Sequence, residues 1–295
     1  MRIFLTGATG FIGSTIVPEL IHAGHQVLGL TRSEAGAKSL ISAGAEVHRG
    51  DLEDLESLRS GAAKSDGVIH TAFIHNFSKF ETNCEIDRRA IETMGDVLVG
   101  SDRPLLITSG TGMGNAASGQ LATEDQVNFS HPNPRIASEL AGVAVAERGG
   151  NVSVMRLPQV HDTVKQGLIT YAVQLAREKG VSAYVGDGRN RWPAAHVLDV
   201  AHLYRLALEK HEAGSRYNAV AEEGVSMREI AEALGRGLKV PVVSLSAEEA
   251  PAHFGWLAMF AGYDMPASSA LTQKRLGWHP TGPGLIADLE QMHYF

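Results

Sequence analysis

Short apolar runs alternate with amphipathic segments through the first half of the chain. "RIFLT" and "QVLGLT" are compact apolar strings of strand length, whereas "STIVPELIHAG" repeats its apolar positions three and four residues apart. The pattern predicts strands over residues 3–6, 26–31, 46–49, 68–71, 105–108 and 152–156. It predicts helices near residues 12–23, 35–43, 55–63, 86–99 and 136–147. Strands and helices in strict alternation indicate an α/β fold, a parallel sheet covered by helices on both faces. Pro18 lies inside the first helix, where it removes one amide donor and should bend the axis.

Beyond about residue 157 the pattern loosens. Helical segments are expected near residues 165–179, 200–210, 227–235 and 247–261, with short strands in "SAYVG" and "RYNAV". We expect two regions, residues 1–157 and 158–295, with a segment of about 190–220 returning to the first.

Composition narrows the class. A chain of 295 residues, 44% hydrophobic and 20% charged, suits one large domain or two closely joined ones and needs no disulfides for its core. Cys84 is the single cysteine, which fits a reducing compartment. A net charge of −7 argues against nucleic acid as a partner. Because "MRIFLTGATG" runs directly into a strand, no signal peptide is expected, and no apolar run approaches the roughly 20 residues that span a bilayer. A cytoplasmic globular protein without membrane contact is the expectation. The 13 histidines form no metal-ligand motif, so no metal site is expected.

Candidate chemistry begins at "IFLTGATGFIGSTIV", which puts Gly7, Gly10 and Gly13 between a strand and a helix, with Thr9, Phe11 and Ile12 among them. Glycine is needed there for a tight turn, for close approach of backbone to a pyrophosphate, and for helix–strand packing. The following helix N-terminus offers free amides and a positive dipole end to phosphate.

The GxxGxxG spacing resembles the extended short-chain dehydrogenase/reductase superfamily, the NAD-dependent epimerase/dehydratase group. So do "GDLEDLESL", "GVIHTAF", "LLITSGTG", "VSVMRLPQVH", "GDGRNRWPAAHVLDVAHLYRLALE" and "KRLGWHPT", which together run through most of the chain. The resemblance implies a Rossmann-type doubly wound parallel sheet with a smaller C-terminal substrate-binding or lid region. It also implies a small-molecule substrate and a monomer or homodimer. It places Asp51 and Leu52 at the adenine, and Thr71, Ala72, Phe73, Thr108 and Pro158 along the cofactor.

An NAD reader ends its second strand with a carboxylate for the ribose 2′-OH. Here "LGLTRSEAG" offers Thr31, Arg32 and Ser33 instead. A guanidinium meets a 2′-phosphate with a charge-assisted fork, so NADP(H) is the expected cofactor.

The family's usual acid and its partner are missing. Thr108 and Ser109 match its Ser/Thr at the fifth strand, but "RIASE" stands where the family shows a Tyr-x-x-Ser-Lys-like helix. Ser138 keeps the register, so Arg135 falls on the Tyr and Glu139 on the Lys. No Tyr precedes Tyr171 and no Lys lies between Lys79 and Lys165, so no slip of register restores the pair. In "CEIDRRAIETM", Asp87 replaces the family's Asn. Arg135 and Glu139 are either an i,i+4 surface salt bridge or a pair turned toward the cofactor. In the second case Arg135 would stabilise an oxyanion and Glu139 would accept from ribose hydroxyls. If Asp87 approached Glu139, repulsion would leave one carboxyl protonated as a possible acid. His75 and Phe73 should border the cofactor; His161 either faces substrate or caps its strand; Arg191 and Trp192 lie at a pocket rim or, for Trp192, in the core.

These residues point to an atypical NADP(H)-dependent oxidoreductase acting on a carbonyl or related small metabolite, with Ser109, Arg135, Glu139 and Asp87 at the reaction centre. The alternatives are a non-catalytic NADP-binding sensor and a sugar-nucleotide epimerase or dehydratase.

Overall fold

A computed structural model describes residues 1–115 and 117–294. The first half runs β1 (Arg2–Thr6), α1 (Gly13–His22), β2 (Gln26–Thr31), α2 (Glu34–Ser42), β3 (Glu46–Arg49), α3 (Leu55–Ala63), β4 (Gly67–His70), α4 (Phe80–Leu98), β5 (Pro104–Gly110), α5 (Ala137–Glu147) and β6 (Asn151–Leu157). The second half continues with β7 (Gln159–His161), α6 (Ile169–Lys179), β8 (Ser182–Val185), β9 (Arg191–His196), α7 (Val197–Lys210), β10 (Arg216–Asn218), β11 (Glu222–Ser226), α8 (Met227–Leu238) and β12 (Val242–Leu245). It closes with α9 (Ala250–Phe254), α10 (Ala258–Ala261), α11 (Ala270–Leu276) and α12 (Leu285–Gln291).

Seven parallel strands in the order β10-β6-β5-β4-β1-β2-β3 form a Rossmann-type α/β sheet. Successive residues of β1 serve opposite faces, as the pleat requires. Ile3 and Leu5 pack with residues of α1 and α7 on one side, while Phe4 packs with residues of α3 and α4 on the other. Both faces are therefore buried, which is why these strands read as continuous apolar runs. A further core gathers around α6, α8 and α12, beside a three-stranded sheet (β11-β9-β7) and the β12-β8 pair. Segments of the second half complete the first core, with α7 against α1 and β10 hydrogen-bonded to β6.

Several boundaries differ from the sequence reading for identifiable reasons. Residues 247–261 do not form one helix, because Pro251 starts α9 and Gly255, with φ +56°, ends it. The helix expected from 165 begins at Ile169, because residues 162–167 form a turn. There Asp162 accepts from the Val164 and Lys165 amides, and Gly167 adopts φ +53°. Conversely α4 starts at Phe80, six residues earlier than expected, with Asn83 and Cys84 on its buried face. Among the described residues no helix is long and apolar enough to cross a membrane.

Candidate functional site

The glycine turn after β1 has no room for a side chain at Gly7 or Gly13. Gly7 adopts φ +69°, and a Cβ there would sit 2.7 Å from both the Ala72 amide and Thr71 Oγ1. A Cβ on Gly13 would lie 2.1 Å from the Gly7 carbonyl oxygen. Gly10 closes the turn through its amide to that same oxygen at 2.8 Å, while Thr9 and Gly10 remain exposed. No side chain caps the N-terminus of α1; the Ser14 amide donates to the Gly10 carbonyl at 2.9 Å and the Thr15 amide to that of Ile12 at 3.0 Å. A backbone cradle of this kind fits a dinucleotide diphosphate. Lys165, from the turn before α6, places its ammonium 5.8 Å from the centre of the Phe11 ring, over the same turn.

At the end of β2 the three expected residues divide. Arg32 has an 81% exposed side chain and, among the described residues, pairs with Asp51 at 3.4 Å. Ser33 Oγ instead accepts from the Gly36 amide as the cap of α2, and the Thr31 hydroxyl is buried beneath that turn. Their hydroxyls shape the turn, and Arg32 supplies an exposed positive charge beside Asp51. Leu52 packs in the core with residues of α3. Thr71 Oγ1 is tied to the Thr6 carbonyl at 2.8 Å, so Thr71 and Ala72 act as a wall behind Gly7. Pro158 is half-buried in the link between β6 and β7.

Arg135 and Glu139 do not pair. Residues Pro134–Ile136 form a 3₁₀ turn ahead of α5, and in that geometry i and i+3 eclipse. Arg135 accordingly meets Ser138 rather than Glu139, and its Nη1 donates to Asp87 Oδ2 at 2.6 Å. Its Nη2 donates to the Thr108 carbonyl at 2.9 Å, and the guanidinium lies 4.3 Å from the Phe73 ring centre. Asp87 also accepts from Ser138 at 2.5 Å and joins His70 Nε2 at 3.0 Å, while His70 Nδ1 meets Thr6 Oγ1 at 2.7 Å. A buried polar chain thus runs from Arg135 to the strand that carries the glycine turn.

The protonated-acid idea for Asp87 is overturned. Burial pushes its pKa up, but Arg135, His70 and Ser138 outweigh that and hold it at about 2. Glu139 points elsewhere. It is 1% exposed and takes Arg156 Nε and Nη2 in a fork at 2.7 and 2.8 Å, with Arg216 Nε at 3.2 Å. Arg156 in turn donates to the Thr123 and Gln126 carbonyls, so this cluster anchors the segment between β5 and α5 and is not placed for ribose hydroxyls.

Ser109, one residue before the end of β5, has its Oγ buried and without a hydrogen-bond partner among the described residues. Thr108 beside it is already engaged, donating to the His70 carbonyl and lying 2.6 Å from the Tyr204 hydroxyl. Phe73 and His75 follow β4, next to Arg135. Burial lowers the His75 pKa, with Arg135 and Lys165 adding to the effect. His161 is buried against Asp288 at 2.6 Å, Trp192 is fully in the core, and Arg191 is paired with Asp264. The described residues contain no group of three metal-ligating side chains. His70 was missed; its signal was a lone polar ring inside the apolar run "GVIH".

The family model for the NAD dependent epimerase/dehydratase family matches residues 3–220. The chain belongs to that family. An uncharacterized protein of Schizosaccharomyces pombe is 49% identical over 100% of both chains. Among solved structures, the dTDP-glucose 4,6-dehydratase of Streptomyces venezuelae with NAD bound aligns with a TM-score of 0.77. That match covers 99% of this chain and 96% of the other at 19% identity. A human epimerase family protein with NADPH aligns at 0.76, covering 99% of both chains at 18% identity. This epimerase/dehydratase-family protein therefore shares the extended short-chain dehydrogenase/reductase fold, in which neighbours carry either dinucleotide.

Proposed function

We propose that this family member is an NADP(H)-dependent oxidoreductase acting on a carbonyl compound. The observation that carries the reading is the buried, unpartnered Ser109 hydroxyl at the C-terminal end of a central strand, where ligands of open α/β sheets bind. Exposed Arg32 supports the 2′-phosphate, and Lys165 over Phe11 supports the diphosphate. Bound nicotinamide would supply or accept the hydride. Ser109 donates a hydrogen bond to the carbonyl oxygen as negative charge develops there. Arg135 adds a positive field but does not give up a proton, since its pKa exceeds about 12, so the alkoxide takes its proton from solvent. His70, Asp87 and Ser138 hold that guanidinium in place.

Replacing Ser109 with alanine should lower kcat/KM for carbonyl reduction by about 10²-fold, the size of one oxyanion donor, while NADPH affinity stays nearly constant. Stopped-flow NADPH oxidation and calorimetric titration on the same preparations check this. Tight NADPH binding without turnover on any carbonyl would favour the sensor reading instead.

For the cofactor, NADPH should bind at least about tenfold more tightly than NADH, and Arg32→Ala should abolish that preference. Calorimetric titration with both dinucleotides is the measurement. Equal wild-type affinities would refute the assignment.

A further inference from the structure

A connected set of rings leads away from Arg135, which donates to the Thr108 carbonyl next to Ser109. Phe73, beneath Arg135, stands edge-on to His75 at 5.5 Å and to Phe80 at 6.1 Å. Phe77 stacks flat on Trp256, with centroids 4.1 Å apart and planes 6° apart. Tyr171 stands edge-on to both, at 5.8 and 5.0 Å. The wall therefore joins the segment after β4 to α6 and to the residues between α9 and α10. The Phe and Tyr rings and Trp256 are all only partly buried, whereas Trp192 and Trp278 have no exposure at all. Core aromatics in this protein are thus sealed, and these are open.

A sugar nucleotide needs polar partners for its hydroxyls and cations for its diphosphate. Among the described residues beside these rings, the Arg135 guanidinium is already bound to Asp87, and Lys179, next to Tyr171 and Trp256, donates to the Ala252 carbonyl at 3.4 Å. The rings instead offer flat, polarisable faces and edges, which favour an offset or edge-on conjugated plane. We propose that the substrate is a planar aromatic or conjugated carbonyl compound, seated against Phe73 and the Phe77–Trp256 pair with its oxygen at Ser109. The proposal rests on the oxidoreductase reading above. In the reaction, hydride from NADPH adds to the carbonyl carbon and the π pair moves to oxygen. Oxygen then takes one proton from solvent, leaving an alcohol and NADP⁺.

The test compares benzaldehyde with cyclohexanecarbaldehyde, its saturated counterpart, and with UDP-glucose, on wild type, Phe77→Leu and Trp256→Leu. Wild type should prefer benzaldehyde by about tenfold in kcat/KM. Both variants should lose that preference through KM, with kcat and NADPH affinity retained. Calorimetric titration of benzaldehyde into the NADP⁺-saturated protein should show saturable binding that both variants weaken, a readout independent of turnover. If one variant fails to fold, the other still decides. Equal rates with the two aldehydes, or an unchanged preference in the folded variants, would overturn the aromatic substrate while leaving the oxidoreductase reading intact. Displacement of benzaldehyde by UDP-glucose would overturn it in favour of a sugar nucleotide. No turnover of any carbonyl despite NADPH binding would overturn both readings.

Discussion

Glu139→Lys should strongly destabilise this protein rather than equip it with its family's usual acid–base helix. The register of "RIASE" makes the change look like a repair, but Glu139 is the carboxylate between Arg156 and Arg216. Arg156 has no exposed surface, so a lysine would bury a third cation beside two that have just lost their counter-ion. Removing one partner of a buried pair costs about 3–5 kcal/mol, and reversing its charge costs more. Against a total stability of roughly 5–15 kcal/mol, most of the molecule's margin disappears. The melting temperature should fall by roughly 10 °C or more, since each kcal/mol is worth about 2–4 °C in a large domain. Glu139→Gln, which keeps one acceptor, should fall less. The double change Arg135→Tyr with Glu139→Lys should fare no better than the single one. Thermal and urea unfolding followed by circular dichroism measure this. A Glu139→Lys protein with wild-type stability and new carbonyl reduction would show that the carboxylate is not an anchor.

Gly13→Ala should remove dinucleotide binding. Its Cβ would lie 2.1 Å from the Gly7 oxygen, with the Gly7 carbonyl carbon at 2.7 Å and Ala8 Cα at 2.9 Å, all backbone atoms that cannot swing aside. Either the turn opens or α1 slides off the sheet, and both destroy the cradle. A loss of at least about 100-fold in affinity is expected, equivalent to about 2.8 kcal/mol. Gly10→Ala separates shape from contact. Its nearest neighbour would be the Gly7 oxygen at 3.1 Å, so the fold should hold while the bulk faces the diphosphate. Fluorescence titration with NADPH, paired with a melt of each variant, reads the two effects apart. Wild-type affinity in Gly13→Ala would place the cofactor elsewhere.

The sheet was legible because its strands are buried on both faces and its first helices carry a clear apolar stripe; β2, β3 and α3 fall on the expected residues. Legibility fell where tertiary neighbours decide. The Phe80 start of α4 and the breaks around Gly255 depend on packing and backbone strain that no periodicity records. At the site, the sequence located Arg135 and Asp87 but mispaired them, because helical spacing was assumed through a stretch that begins as a 3₁₀ turn. The true partners of Glu139, a residue of α5, lie on the strands β6 and β10, contacts set by sheet register rather than by any motif. The aromatic wall draws Phe73 and Trp256 from opposite ends of the chain, so spacing could not announce it.

The short strand β10 has a consequence for how the chain reaches this state. Arg216–Asn218 pair with Val154–Arg156, and α7 covers α1. Until those residues leave the ribosome, β6 is a raw edge with unpaired amides and the apolar face of α1 is bare. Completing the sheet requires bringing together two strands separated by β7, α6, β8, β9 and α7, an entropic toll paid before the parallel pairing returns anything. The nucleotide-cradle half of the molecule therefore cannot mature by itself during synthesis. Its last strand arrives only after much of the other half has been made.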